Sequence, residues 1–253
     1  MKKIFQFCAI SILFSLKNSA IAEGKLHPWA DMALMDLKVI KQTIKNHHVG
    51  PVDPENPGYK VWLNDGYQAA VEMSKSVGSF NDYMATISHY SDGFDDGHIT
   101  FYRDINPTRL AWPNFTLEYL AGKTLVANVK PNTLKNIQRG DQLISCDGMS
   151  VEQLMADRIY PYQGISGLEA ETIRLTPYLL ISQRNTFVQD PKVCTFSRNN
   201  RDFEHELNWS SISYESVNNK LSASDSELSF ALEEIAQDIF RISLPTFNVG
   251  NRQ

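Results

Sequence analysis

The chain is poor in cysteine, has no excess of positive charge, and lacks long apolar runs past its first residues. Lysine and arginine total 24 against 29 aspartates and glutamates, a formal net charge of -5. That balance gives no electrostatic ground for nucleic-acid binding, and no basic run marks a membrane-surface patch. No apolar run after residue 22 is long enough to span a bilayer. What remains is a globular composition, 42% hydrophobic and 21% charged, which argues against disorder. A length of 253 residues suits one large or two small domains.

The first 22 residues read as a secretory leader. Lys2 and Lys3 form a positive start, Ile4 to Leu16 a mainly apolar stretch, and Ala20-Ile21-Ala22 a small-x-small cleavage site. The apolar stretch is short of the roughly 20 residues a membrane span needs, and Cys8 does not end a lipobox. The expectation is a bacterial exported chain, periplasmic or secreted, beginning at Glu23. Cleavage leaves Cys146 and Cys194. In an oxidising compartment the two can pair. Both also sit in strand-like runs, where cysteine is often a small buried hydrophobe. Neither has a neighbour that suggests a nucleophile, and two thiols alone make a poor metal site.

The mature chain opens on helices. Over Asp31 to His47, Leu34, Leu37, Ile40 and Ile44 follow one face of a 3.6-residue period. Gly50, Pro51, Pro54, Pro57 and Gly58 then predict a loop. A second helix is expected from about Asp65 to Val77. A third runs from Asn81 to Tyr90, capped by Ser79 with Asp82 three residues on. At Asp92 to Phe101 (DGFDDGHITF) the chain turns from helical to extended. The acidic residues here lack the spacing of a calcium loop. His47 and His48 are adjacent and face different ways, so they are no metal pair. No metal site is expected.

Downstream the pattern becomes extended. Trp112-Pro113-Asn114 reads as a loop before a strand over Phe115 to Leu120. Gly122-Lys123 turns the chain into a second strand, Thr124 to Lys130. Arg139 to Val151 (RGDQLISCDGMSV) runs turn, strand, turn, helix start. Asp147-Gly148 tolerates positive φ at both positions, and Ser150 with Gln153 forms a capping box. Another helix is expected from Ser166 to about Ile181. Cys194 to Ser197 and Phe203 to Trp209 read as a hairpin around Arg198-Asn199-Asn200-Arg201, where asparagine accepts left-handed geometry. Ser210 to Ser229 is a polar connector, followed by a strand-like Ile235 to Leu244. The fold class is α+β.

Several of these motifs, in this order, resemble the C-terminal-processing (tail-specific) serine peptidases and their tricorn-like relatives, peptidase family 41 of the serine peptidases. They are the first helix, the His-containing Gly-Pro loop, Asp96-Gly97-His98-Ile99-Thr100, the Gly140-Asp141 to Gly148 stretch resembling the distal half of a PDZ domain, and Ile239 to Phe247. The resemblance implies a leader over 1–22, a helical domain over 23–104 and a PDZ-like domain over 105–209. Residues 210–253 become a connector with the first strand of a catalytic domain. It implies a protein or peptide substrate and no cofactor.

In that family the nucleophilic serine lies beyond the position of Phe247, on a Gly-rich segment this sequence does not contain. A serine hydroxyl is a poor nucleophile without a positioned base and oxyanion donors. The 253 residues alone are therefore expected not to cleave peptides. By resemblance to the tricorn-like members, His98 is the candidate base. The bland alternative has it capping the corner, bonded to Asp95 or Asp96. Whether the whole enzyme is of Ser-Lys or Ser-His type stays open, as does the oligomeric state. A PDZ-like domain takes a peptide along a sheet edge, which points to Trp112, Phe115 and Leu117, each of which also suits a core. The reading from a different class is a non-catalytic peptide-binding module. The tail from about Ser210 is expected to be protease-sensitive or self-associating, because its apolar strand lacks a covering sheet.

Overall fold

A computed structural model describes residues 27–99, 101, 110–131, 136–217 and 231–243. The expected leader lies outside these residues, as do Pro245, Thr246 and Phe247. The fold is α+β. Among the described residues no helix is long and apolar enough to cross a membrane.

Three helices form one core. α1 (Pro28–His47) starts with proline in its first turn, and the His27 ring accepts from the Trp29 backbone N–H. α2 (Pro57–Ser74) begins eight residues before the sequence pattern suggested. Pro57 opens it, where a missing N–H costs nothing, and the Asn56 side chain caps it. The apparent proline loop is thus partly a helix start. α3 (Phe80–Asp92) is capped by Ser79, whose hydroxyl accepts from the Asp82 N–H, as expected. Leu37, Tyr59, Leu63, Ile87, Tyr90 and Phe94 pack between them.

The second core lies on an antiparallel sheet. Its strands are β2 (Phe115–Leu120), β3 (Lys123–Val129), β4 (Gln142–Cys146), β6 (Val193–Arg198) and β7 (Arg201–Glu206), side by side in that order. The short β5 (Met149–Ser150) pairs with β4 across Asp147-Gly148, both at positive φ. Ser150 and Gln153 close the expected capping box on α4 (Val151–Arg158). The β6–β7 turn places Asn199 and Asn200 at φ 51° and 60°. Cys146 and Cys194 stand opposite one another in the β4–β6 register and are bridged. Both are buried, so the two sequence alternatives are met at once. Asp141, 1% exposed, takes both Arg198 Nε and Nη2 at 2.6 and 2.7 Å. That pair ties the β3–β4 turn to β6.

Other elements depart from the pattern. β1 (Leu110–Trp112) extends through Trp112, expected in a loop. It pairs with β8 (Ser210–Ile212), expected in the connector. Burial explains both: Leu110, Trp112, Ile212 and Val217 make a small core of their own. α5 (Glu169–Leu175) is shorter than expected and has no side-chain cap. A 3₁₀ turn over Thr176–Tyr178 follows it, with Pro177 removing a donor. The expected strand from Ile235 is not one strand over its described residues, which end at Ser243: β9 (Ala231–Ala236) and β10 (Ile239–Ser243) form a hairpin, with Asp238 at φ 61°. Leu232, Ile235, Ile239, Phe240 and Ile242 on it are all more than half exposed.

Helices and sheet meet through polar ties. Thr186 donates its N–H (2.6 Å) and hydroxyl (3.0 Å) to Asp82 Oδ1. Asn81 Nδ2 donates to Gln183 O at 2.6 Å. His89 Nδ1 lies 3.0 Å from Pro161 O.

Candidate active site

The loop after α3 is shaped by a close approach. The Trp62 indole donates to Tyr90 O at 3.0 Å and lies against Gly93, where any Cβ would stand 2.1 Å from the ring. The chain therefore leaves α3 flat against Trp62 and swings back toward the end of α1. Ile99 and Phe101 pack against the helical core, which brings Asp96 and His98 to the surface beside His48.

Asp96 is the hub of this corner. Its Oδ1 accepts the His98 backbone N–H at 2.9 Å and faces His98 Nδ1 at 3.0 Å. Its Oδ2 lies 3.3 Å from His48 Nε2. The His98 backbone donor foremost, and the two imidazoles after it, hold the Asp96 carboxyl below the usual carboxylate range despite partial burial. An ionised carboxylate only accepts, so Asp96 favours the His98 tautomer with the proton on Nδ1. That leaves Nε2 with a free lone pair. The His98 side chain is 92% exposed, so Nε2 is open to a reactant.

Of the two sequence alternatives for His98, the bond to Asp96 is present. It does not exclude the other, since a base oriented through Nδ1 is what general-base chemistry needs. The sequence does not mark His48 and Tyr59 as site residues. His48 lies 48 positions from Asp96, and no local spacing could have linked them. An apolar groove of about 330 Å³ runs beside His98, lined by Val39, Ile40, Ile44, Ile99 and Phe101.

The residues expected to line a peptide groove lie inside the protein. Trp112 is 3% exposed in the small β1–β8 core, and Phe115 and Leu117 are buried in the sheet core. The Phe115 ring meets Phe196 edge-on at 5.8 Å. β2 ends the sheet, but α5 and the Thr176–Tyr178 turn pack against it. A separate open groove of about 460 Å³ lies between the sheet and α4, with Tyr119, Gln142, Ile144, Glu152 and Tyr160 among its walls.

Asp92 sits in a wide cleft between α3 and α5, together with Glu171 and Arg174. Burial pushes its carboxyl up to about 7, against the pull of the Arg174 charge. Among the described residues no cluster of three His, Cys, Asp or Glu side chains could hold a metal ion.

No protein-family profile matches the chain, and no curated protein matches it. Solved structures do. Mature CPAF matches with a TM-score of 0.53 at 16% identity, over 73% of this chain and 35% of that one. Mature CPAF complexed with lactacystin matches with a TM-score of 0.54 at 18% identity, over 73% and 35%. A CPAF mutant matches with a TM-score of 0.54 at 15% identity, over 79% of this chain and 40% of that one. The chain thus spans well under half the length of the structures it matches, and at these identities what it shares with CPAF is a fold.

Proposed function

We propose that this chain is the amino-terminal part of an exported serine peptidase of the tail-specific type, contributing the general base and the substrate-recognition region. The observation that carries the proposal is the Asp96–His98 pair, an exposed imidazole held by a carboxylate at Nδ1 with Nε2 free. The fold likeness supports it, because CPAF is a chlamydial serine protease resembling tail-specific proteases. The buried Cys146–Cys194 bridge fits an oxidising compartment, and so fits export. In this reading a serine from a segment outside these 253 residues gives its proton to His98 Nε2 as it attacks a peptide carbonyl. His98 then returns the proton to the leaving amine. Residues 105–209 act as a PDZ-like recognition region. With Trp112, Phe115 and Leu117 buried, the groove walled by Tyr119, Glu152 and Tyr160 is the surface left for the peptide.

The test begins with the coding sequence beyond the codon for Gln253, followed by assay of the whole product on an unfolded protein. The expected result is a Gly-rich serine segment, and cleavage that falls about 10²–10⁴-fold in His98→Ala, the range for loss of a general base. Cleavage unaffected by His98→Ala overturns the base assignment. Peptide binding without any serine segment turns the reading into that of a binding module.

A further inference from the structure

Residues from the ends of three helices meet in one hydrogen-bonded cluster. His48 caps the end of α1, Tyr59 lies in the first turn of α2, and Asp96 with His98 follows α3. The protonation of the whole cluster can be worked out from one backbone group. The Gly50 N–H points at His48 Nδ1 at 3.1 Å. A backbone amide can only donate, so this ring nitrogen carries no proton. The Tyr59 hydroxyl, 2.7 Å from the same atom, therefore donates to it as well. Neutral His48 keeps its proton on Nε2, facing Asp96 Oδ2 at 3.3 Å. Asp96 Oδ1 then faces the His98 proton on Nδ1.

The far end of this chain is rigid. The Tyr59 ring stacks on the His48 ring, with centroids 5.1 Å apart and planes within 1°. It also meets Phe94 at 4.8 Å. A Cβ at Gly50 would stand 2.5 Å from the Tyr59 ring, so the ring lies flush on the backbone there and only glycine fits. Burial first, and the Asp96 charge second, push the Tyr59 hydroxyl up to about 12, so it remains a donor at neutral pH. By contrast, Asp96 without His48 would be held at one oxygen only, by its own turn.

We infer that His48 and Tyr59 are positioning residues for His98, acting through Asp96: Tyr59 and Gly50 fix the His48 tautomer, His48 pins Asp96 Oδ2, and Asp96 Oδ1 keeps the His98 proton on Nδ1. This rests on the reading of His98 as the base, and extends it to two residues from other helices. A cluster that only braced the loop would have no need to set a tautomer, so the tautomer is the property to measure.

The experiment is long-range ¹H–¹⁵N correlation of the histidine rings in the ¹⁵N-labelled 253-residue chain, at a pH where both imidazoles are neutral. The expected wild-type result is His98 in its Nδ1–H form and His48 in its Nε2–H form. In His48→Ala the Nδ1–H to Nε2–H ratio of His98 should fall about fivefold, the ratio that one hydrogen bond of typical net strength sets. His48→Gln should restore it, because a side-chain amide can accept from Gly50 and donate to Asp96. Tyr59→Phe should loosen the His48 tautomer while keeping the stacked ring. Wild-type His48 carrying its proton on Nδ1 overturns the inference, and needs no variant to be seen. So does an unchanged His98 ratio in a folded His48→Ala chain. The two readings fail separately: a whole enzyme indifferent to His98→Ala removes the base, while an unchanged tautomer removes the network whatever the activity.

Discussion

The two ends of α3 carry the same side chain in opposite states. Asp82, in the first turn, is 1% exposed. It accepts from Thr186 twice, from the Ser79 hydroxyl at 2.7 Å and from the Gly78 N–H at 3.2 Å. Burial pushes its carboxyl up, but those donors together outweigh burial and hold it below its ordinary value. At Asp92, the last residue of the helix, burial pushes the carboxyl up to about 7, and the Arg174 charge pulls it back only in part. The helix dipole favours an anion at the first position and opposes one at the second. Burial alone therefore does not decide which way a carboxylate moves. The donors aimed at it do.

The largest test of that contrast is Asp82→Ala. It removes the buried carboxylate that Thr186, Ser79 and Gly78 bond. Thr186 and Gly78 are exposed, so water takes over part of the bonding. A loss of about 2 kcal/mol, within the range for a hydrogen bond to a charged group, is expected in denaturant unfolding. A loss under about 0.5 kcal/mol, the level of an ordinary surface substitution, would break the comparison. The pH dependence follows with a fixed sign. The folded value lies below the ordinary 3.8, so the Asp82 contribution is complete above that value and is lost as pH falls through the folded one. The acid limb of the stability curve should be shallower in Asp82→Asn than in the wild type.

Half of this junction is visible in the sequence. Ser79 and Asp82 announce the helix start because capping is a three-residue pattern. The bond from Thr186 spans 104 positions and leaves no local trace. The same division runs through the molecule. Asp147-Gly148 and Asn199-Asn200 are legible because turn chemistry is local. The β1–β8 pairing is not, since Leu110 and Ile212 are joined only by the core they share. His98 and Asp96 are two residues apart and could be read together, whereas His48 and Tyr59 reach them only once three helices have packed. Phe115 and Leu117 look alike as core or groove, because alternation marks a strand's two faces without saying what covers them.

The next test is Asp92→Asn, where the sign reverses. The folded carboxyl titrates at about 7, above its ordinary 3.8. Between those values the folded state holds a proton the unfolded state has released. Stability from this group is thus full below the ordinary value and is lost as pH rises through about 7. The asparagine, which never ionises, should match the wild type near pH 3 and melt higher than it at pH 8. Melting temperatures across that range read the effect directly. A variant that melts lower at pH 8 would mean that the ionised carboxylate has a stabilising partner, and the contrast with Asp82 would fall.

The smallest test asks what limits the rise at Asp92. Arg174 is the cation that pulls its carboxyl back down, but the Arg174 side chain is 56% exposed and paired with Glu171 at 2.5 Å. Charges so placed act weakly through solvent and are screened by salt. Arg174→Gln should therefore raise the Asp92 titration by less than about 1 pH unit, well inside the range that burial itself covers. Carboxyl ¹³C shifts of Asp92 would show it, and high salt should move the wild type the same way. Glu171, freed from its partner, adds negative charge to the cleft and works in the same direction. A downward shift in Arg174→Gln would require that the arginine raise the Asp92 titration, which its charge alone cannot do. Burial by its side chain would then be the stronger of its two effects, and the upper end of α3 would be set by packing rather than by charge.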